Sequence, residues 1–230
     1  MRECYTNIAM KISYLNHSSF LISGKTPTGQ EINVVTDPFD PKFVGPNYSE
    51  QESDVVTLSH NHPDHNALHF IKGKPNEDYL FFDTPGEYEV KGLIMNGIAS
   101  YHDDAKGKER GNNTIFTYDF AEAKVAHLGD IGHLLESDQS EMLSEIDILM
   151  IPVGGQYTIS PKQAVTIIEE IEPAIVIPMH FKTPKHNKDY DELKTFQDFI
   201  NEIGIQPQKV KEFSLKAHKD LPQELLILEF

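Results

Sequence analysis

Residues 59–66, SHNHPDHN, form the stretch that most restricts the folds open to this chain. Three histidines and an aspartate follow directly on the apolar run VVTL, which has the composition of a buried strand. Neutral imidazole is the common nitrogen ligand of metal ions in proteins, and an aspartate can add an oxygen ligand. We therefore expect a fold in which strand ends converge on a metal site.

The spacing within this stretch indicates two metal positions. His60 and His62 are two residues apart, so in extended backbone both side chains point the same way and can bind one ion. Pro63 can start a turn, after which Asp64 and His65 are adjacent, aim differently and can reach a second ion. The alternative is a polar loop that is histidine-rich by chance, and the rarity of H-x-H-x-D-H argues against it.

Composition restricts the class of protein. The length of 230 residues predicts a single domain spanning residues 1–230. The formal net charge of −16 disfavours nucleic acids and anionic membranes as partners, although a local patch could override it. A single cysteine, Cys4, excludes an intrachain disulfide, and no signal-like or membrane-spanning segment stands out, so we expect a soluble cytoplasmic protein. The sequence leaves monomer and oligomer open.

The pattern of apolar residues divides the chain into a β-rich part and an α/β part. Short β-rich runs separated by turn residues fill the chain up to about residue 136. Helices are predicted at residues 137–146, 160–171 and about 190–203, with a βαβ unit around the second of them. Residues 208–213 and 224–230 predict two final short strands. This order allows a two-sheet sandwich covered by helices.

The HNHPDH motif marks the metallo-β-lactamase superfamily, and later residues resemble that family in order. His102 follows a strand in ASYHDD, Asp130 lies in HLGD, and His180 closes the strand IVIPMH. The stretches NHSSFLI, TDPFD, IPVGG and IPMHFKT resemble the small Zn-dependent hydrolases of this fold, such as ascorbate-6-phosphate lactonase. The resemblance runs from about residue 11 to 185. It implies an α+β fold, an αββα sandwich of two mixed sheets flanked by helices, with both metals at one edge.

The resemblance also implies a set of ligands. Three imidazoles would bind the first metal: His60, His62 and His102. A carboxylate and two imidazoles would bind the second metal: Asp64, His65 and His180. Asp130 would bridge both metals. A bridging water or hydroxide would be the nucleophile, with Asp130 or Asp64 relaying the proton. The donor types suit two Zn²⁺ ions, although Mn²⁺ or Fe²⁺ could occupy the same positions.

Three of these ligands have simpler alternatives. His102 could be a solvated loop histidine, and Asp130 could merely form a turn with Gly129. His180 competes with His186, but His186 lies in a polar loop and not at the end of a strand, so we favour His180.

Four more residues are candidates for supporting roles. Asp37 in TDPFD would orient a ligand imidazole, the alternative being a turn aspartate before a proline. Glu87 and His127 would also face the site behind the ligands, although they could equally be a β-turn carboxylate and a strand-end histidine. His17 would contact the substrate or stabilise an oxyanion.

The predicted function is metal-dependent hydrolysis of a small ester, lactone or phosphodiester. Two locally basic loops, KGKER after His102 and KTPKHNK after His180, favour a phosphorylated or carboxylated substrate, unless they are only solvated surface. One alternative is a nuclease or phosphodiesterase of the same superfamily, and another is a metal-binding protein without turnover. A redox di-iron centre is a third, although no flavin module accompanies the domain. Without a G-x-S-x-G motif, a covalent serine mechanism has no support.

Overall fold

The fold is described from a computed structural model, which defines residues 10–230, so that Cys4 lies outside the described residues. The strands of this part of the chain are β1 (Met10–Asn16), β2 (Ser19–Lys25), β3 (Glu31–Thr36), β4 (Gln51–Glu52), β5 (Val55–Thr57), β6 (Ile71–Lys72), β7 (Leu80–Phe82), β8 (Gly86–Val90), β9 (Leu93–Tyr101), β10 (Asn112–Asp119), β11 (Lys124–His127), β12 (Ile148–Pro152), β13 (Ile175–Met179), β14 (Gln208–Lys209), β15 (Phe213–Leu215) and β16 (Leu226–Glu229). The helices are α1 (Pro41–Val44), α2 (Ser137–Leu143), α3 (Pro161–Ile171) and α4 (Phe196–Ile203), and short 3-10 turns lie at Leu68–Phe70, Lys188–Tyr190 and His218–Asp220.

Two large sheets contain nearly all of the strands. The first has six strands in the order β15-β1-β2-β3-β5-β7, and the second has eight in the order β14-β16-β13-β12-β11-β10-β9-β8. Strands β1 to β3 pair antiparallel, as the meander predicted from the sequence requires. Strands β11, β12 and β13 pair parallel, because the chain crosses over through helices between them.

The main core lies between the two sheets. Strand β12 shows how the second sheet is buried on both faces: Ile148 and Met150 belong to the core shared with the first sheet. Leu149 and Ile151 alternate with them and belong to a second core beneath the helices. A strand buried on both faces reads as a continuous apolar run, which is how DILMIPV reads in the sequence.

Helices α2, α3 and α4 cover the outer face of the eight-stranded sheet. The outer face of the six-stranded sheet is covered instead by short elements, with Leu68 and Ile71 packing on Val35 and Val56. The sandwich predicted from the sequence is therefore confirmed, with a full helical layer on one side of it. On the second side, the connections between β3, β5 and β7 form only α1, the short strands β4 and β6 and one 3-10 turn.

The predicted βαβ unit is β12–α3–β13. Helix α3 begins where the sequence indicates, because the Ser160 hydroxyl accepts from the Gln163 backbone N–H and Pro161 occupies the first turn. The Gln163 side chain accepts in return from the backbone N–H of Ser160. Strands β12 and β13 then pair parallel over their whole length, from Ile148 opposite Ile175 onwards.

Three predicted boundaries are wrong. The helix expected at residues 190–203 begins only at Phe196, because Thr195 and Asp198 form a reciprocal capping box there. The helix expected at residues 137–146 ends at Leu143. The strand expected at residues 208–213 is divided, since β14 pairs with β16 in the second sheet and β15 pairs with β1 in the first. The chain crosses between sheets here, which a single periodic run does not predict.

Candidate metal centre

The predicted ligands lie on segments that leave several strands at one edge of the sandwich. Strand β9 runs in the direction of β11, because each of the two is antiparallel to β10. Strands β11 and β13 also run in one direction, so the chain leaves β9, β11 and β13 at the same edge. These exits carry His102, Asp130 and His180, and residues 59–66 leave β5 beside them.

Three imidazoles form the first group. His60, His62 and His102 each offer a ring nitrogen, and these nitrogens lie within 4.8 Å of one another. His60 and His102 are buried, and their ring centroids are 4.6 Å apart. This is the set that the sequence assigned to a first metal.

A second group lies beside the first. Asp64, His65 and His180 each offer a ligand atom within 4.8 Å of the others, and His17 joins them at the same spacing. The sequence assigned the first three to a second metal and gave His17 a separate role. The structure brings His17 into this group, with its Nε2 3.5 Å from the Asp64 carboxylate.

Asp130 lies between the two groups. Its Oδ2 is 3.2 Å from Nε2 of both His65 and His180, 3.5 Å from Nε2 of His102 and 4.0 Å from Nε2 of His60. One oxygen atom of a buried carboxylate thus faces two imidazoles of each group. Its other oxygen, Oδ1, has no hydrogen-bond partner within residues 10–230.

The turn that carries Asp130 requires a glycine. Gly129 has φ +57°, and a Cβ at this position would lie 2.4 Å from both Asn113 Oδ1 and Ser59 Cβ. The Asn113 side chain also accepts from the Asp130 backbone N–H at 2.9 Å and donates to the Leu128 carbonyl at 2.9 Å. The HLGD motif is therefore fixed by close packing as well as by backbone conformation.

Asp37 is linked by hydrogen bonds to both groups on the side away from Asp130. Its Oδ2 accepts from His65 Nδ1 at 2.9 Å and from the Ser59 hydroxyl at 2.6 Å. The Ser59 oxygen in turn accepts from His60 Nδ1 at 2.9 Å. A single buried carboxylate therefore orients one imidazole of each group so that Nε2 points to the centre. Ser59 was missed in the sequence, although its position directly before the motif could have indicated it.

His17 is held against His180 by the backbone. The His17 carbonyl accepts from the His180 N–H at 3.0 Å, and the two ring centroids are 4.3 Å apart. Both residues have positive φ, +57° and +51°, a conformation that is uncommon for histidine and often marks functional sites. Burial, followed by the charge of His180, lowers the pKa of His17 to about 3, so its imidazole is neutral.

Two further residues, from the loop after β13, adjoin the second group. Tyr190 donates its hydroxyl to Asp64 Oδ2 at 2.9 Å and was missed in the sequence. His186 accepts from the Thr183 backbone N–H at 3.0 Å, and its ring lies 5.6 Å from that of His17. His186 is therefore a neighbour of the second group, whereas His180 is a member of it.

The remaining two candidates differ in position. His127 is buried and uses both ring nitrogens within the fold: Nε2 donates to the Ser18 carbonyl at 2.8 Å, and Nδ1 accepts from the Gly129 N–H at 3.2 Å. It therefore connects the turn beside His17 to the turn of Asp130. Glu87 is exposed on β8, so the structure does not bring it into the buried cluster.

The protonation states suit metal binding. Burial lowers the pKa of His60 and of His102, so both imidazoles are neutral donors. Burial opposes ionisation of Asp130, but the charges of His180 and His65 outweigh it and hold its pKa well below the usual range. Burial also opposes protonation of His65, but Asp130 outweighs it and raises the pKa of His65. A cation at this position would displace that proton.

An open cavity of about 540 Å³ gives access to the first group. His60, His62, Tyr101 and Arg110 are among the residues that line it. A cavity of about 600 Å³ beside α3 and α4 is lined by apolar residues and several glutamates, and none of the clustered histidines lines it, so we assign it no part in the chemistry. Among the described residues, no helix combines the length and the apolar character needed to cross a membrane.

Comparisons with known proteins identify the family of the chain. A sequence profile described as a beta-lactamase superfamily domain matches residues 11–180. A UPF0173 metal-dependent hydrolase of Methanopyrus kandleri is 27% identical over 229 residues, which cover 87% of this chain and 96% of that protein. A similar protein of Thermococcus onnurineus is 27% identical over 88% of this chain and 99% of its own length.

Solved structures show the same fold. A structure assigned to the Zn-dependent hydrolases of the metallo-β-lactamase superfamily, from Thermotoga maritima, superimposes with a TM-score of 0.75 at 33% identity and covers 95% of this chain and 97% of its own. Igni18, a metallo hydrolase of Ignicoccus hospitalis, has a TM-score of 0.63 at 18% identity over 96% of this chain and 95% of its own, which shows the fold alone. The chain belongs to the metallo-β-lactamase superfamily and is a metal-dependent hydrolase.

Proposed function

We propose that the chain is a hydrolase with a binuclear metal centre. The first metal would be held by His60, His62 and His102 and the second by Asp64, His65 and His180, with Asp130 between them. The observation that carries this proposal is the position of Asp130 Oδ2, which faces Nε2 atoms of both groups at 3.2–4.0 Å. A carboxylate so placed can bind two cations that lie side by side.

The donor atoms fit such ions. Nε2 of His60, Nε2 of His65 and Oδ1 of Asp130 are buried and have no hydrogen-bond partner among the described residues. Leaving buried polar atoms unpaired is costly, and divalent cations would remove that cost. Imidazole and carboxylate donors suit Zn²⁺, while Mn²⁺ and Fe²⁺ accept the same donors, so we propose zinc with these two as substitutes.

The chemistry follows from this placement. Two bound divalent cations would polarise the substrate oxygen and lower the pKa of a shared water so that hydroxide is present at neutral pH. Asp130 and Asp64 are the carboxylates at the centre, so either can accept the proton of the attacking water and pass it to the leaving group. His17, neutral and beside Asp64, can donate a hydrogen bond to a developing oxyanion.

We propose a small, anionic substrate with an ester, lactone or phosphodiester bond. The cavity of about 540 Å³ beside His60 and His62 has the size of a small-molecule site. The net charge of −16 disfavours a long nucleic acid, while the loop at residues 106–110 adds local positive charge beside His102. We further propose that residues 1–230 are one domain, because the two sheets share one core, and that the protein is cytoplasmic, because a single cysteine suits a reducing compartment.

Metal analysis by mass spectrometry tests this proposal together with a substrate panel. We expect two equivalents of metal per chain. We also expect hydrolysis of at least one of three probes: an ester, a lactone and a phosphodiester. His62→Gln should lose metal and activity, whereas His69→Gln, at an exposed position outside the cluster, should lose neither. One equivalent of metal would contradict the binuclear centre, and full loading without turnover of any probe would contradict the proposed substrate class.

A further inference from the structure

The loop that follows His102 has a fixed conformation. The Asp103 carboxylate accepts four backbone N–H groups of the loop, from Ala105, Gly107, Glu109 and Arg110, at 2.7–3.0 Å. A single buried carboxylate thus closes residues 103–110 into a compact turn. The backbone of Arg110 is therefore held in place without any contribution from its side chain.

The side chain of Arg110 is also held, but not by a carboxylate. Its guanidinium lies over the ring of Tyr157, 3.9 Å from the centroid, which is a cation–π distance. Within residues 10–230 Arg110 is the one arginine, and it forms no ion pair there. A guanidinium that is positioned but has no anionic partner keeps its hydrogen-bonding donors free for a ligand.

Tyr157 has features that its packing does not explain. It is 43% exposed and has φ +69°, a conformation that is an outlier for a bulky side chain. It lies on the loop between β12 and α3, whereas Arg110 lies on the loop between β9 and β10. Two loops from the same edge of the sheet are thus in contact at Arg110 and Tyr157.

Arg110 lines the cavity that opens on the first metal group. The cavity of about 540 Å³ has His60 and His62 among its lining residues, so one small molecule can contact the guanidinium and the imidazole side together. Asp83 lines the same cavity and repels additional negative charge. The cavity therefore favours a ligand with a single anionic group.

We propose that Arg110 binds a carboxylate or phosphate group of the substrate, with Tyr157 positioning the guanidinium. This inference rests on the proposed hydrolysis beside His60 and His62 and specifies its substrate: a small molecule with one anionic group at one end and the hydrolysable bond at the other. Planar guanidinium pairs with either oxyanion through two parallel hydrogen bonds, which gives specificity as well as affinity.

The first test measures binding without catalysis. The chain contains no tryptophan, so Tyr157→Trp introduces a single indole and keeps an aromatic ring beneath Arg110. In the metal-free full chain, we expect saturable fluorescence changes with monomethyl succinate and with methyl phosphate, and none with neutral dimethyl succinate. The anionic compound that gives the stronger fluorescence response shows whether the site binds a carboxylate or a phosphate group.

The controls for this test are two charge-removing variants in the same loop. Arg110→Gln in the Tyr157→Trp background should abolish the response, whereas Lys108→Gln, which removes the same charge from an exposed residue, should retain it. Circular dichroism establishes that each variant is folded. An equal loss in both variants, or an unchanged response in Arg110→Gln, would overturn the assignment.

The second test uses the metal-loaded enzyme and two matched esters. Mono-4-nitrophenyl glutarate carries a distal carboxylate, and 4-nitrophenyl pentanoate is its neutral counterpart with the same leaving group. For Arg110→Gln we expect KM for the anionic ester to rise by about 10-fold to 100-fold, and KM for the neutral ester to change less than about twofold. Equal effects on both esters would overturn the proposal. If the wild-type chain hydrolyses neither ester, the proposed ester substrate fails, while the fluorescence test still decides the anion site.

Discussion

Two buried carboxylates, Asp54 directly before β5 and Asp130 in the turn after β11, have different surroundings. Asp54 contacts Lys74 at 2.6 Å and Lys91 at 2.8 Å, and it accepts the Asn33 N–H at 2.8 Å. Asp130 faces imidazoles of both metal groups, and its Oδ1 has no partner in the described chain. Both residues are almost fully buried.

The difference separates a structural carboxylate from a candidate ligand. Lysines carry permanent charge at neutral pH, so the charge of Asp54 is compensated within the fold and needs nothing from outside. Of the imidazoles beside Asp130, His60 and His102 are neutral because their pKa values are lowered, whereas Asp130 raises the pKa of His65. The charge of Asp130 is therefore balanced by a group that is itself a metal donor, and a cation at the centre would displace its proton.

The largest expected effect is that of Asp130→Asn. The substitution keeps the shape of the side chain but removes the charge that both metal groups face. Metal content and hydrolysis should therefore fall by at least about 100-fold, because substitutions of residues that only orient the ligands already lower metal affinity or activity by about 10-fold to 100-fold. Plasma mass spectrometry of the purified variant and steady-state kinetics measure the two losses.

Asp54→Asn is the matched control for this prediction. It removes a charge of the same kind from a buried carboxylate whose ion-pair partners, within residues 10–230, are two lysines. We expect full metal content and activity in folded Asp54→Asn protein. If Asp130→Asn retains both metals, or if Asp54→Asn loses them, the distinction between the two carboxylates is wrong.

The second effect concerns the residues behind the imidazoles. Asp37→Asn weakens the contact to His65 directly, and Ser59→Ala removes only the contact to His60, so Asp37→Asn should have the larger effect. We expect metal affinity to fall by about 10-fold to 100-fold in Asp37→Asn, with a smaller loss in Ser59→Ala. Competition with a chelator of known affinity measures both losses. Equal affinities in wild type and Asp37→Asn would show that Asp37 does not orient these ligands.

Local sequence indicated which side chains the structure brings together where the residue directly follows a strand. The motif HNHPDH, His102 and His180 each end an apolar run, and the parallel course of these strands makes their ends neighbours. Tyr190 was not predictable in this way, because it reaches Asp64 across 126 positions of sequence from a 3-10 turn that has no periodic pattern. The sequence also left open whether Glu87 faces the metal centre, since the side of the sheet to which this carboxylate points is set only when the strands pair.

The fold shows the same limit. The order of strands and helices along the chain predicted the sandwich and the β12–α3–β13 unit. The strands of that unit could be recognised because burial on two faces leaves a continuous apolar run. The pattern did not predict that residues 208–215 pass from one sheet to the other, since pairing partners are set by tertiary contacts. The sequence likewise did not predict the ion pairs of Asp54, because Lys74 and Lys91 are distant from it in sequence.

The smallest effect is the loss of stability in Asp54→Asn. Hydrogen bonds to a charged group contribute about 1.5–3 kcal/mol, and the partial exposure of Lys74 and Lys91 reduces this to about 1–2 kcal/mol. Urea denaturation of both proteins at pH 7 measures the difference. Glu50→Gln is the control, because it removes an exposed ion pair to Lys72 at a similar distance, 2.7 Å, and should change stability by less than about 0.5 kcal/mol.

The pH dependence of this difference tests its electrostatic origin. Burial opposes ionisation of Asp54, but Lys74 and Lys91 outweigh it and hold its pKa below the usual range. A carboxylate with a depressed folded-state pKa stabilises the fold above its unfolded pKa of about 3.9, and this contribution disappears as the pH falls through the lower folded value. The stability gap between wild type and Asp54→Asn should therefore be constant from about pH 7 to pH 5 and shrink below about pH 4. A gap that persists unchanged at pH 3 would mean that the loss comes from packing and not from the charge of Asp54.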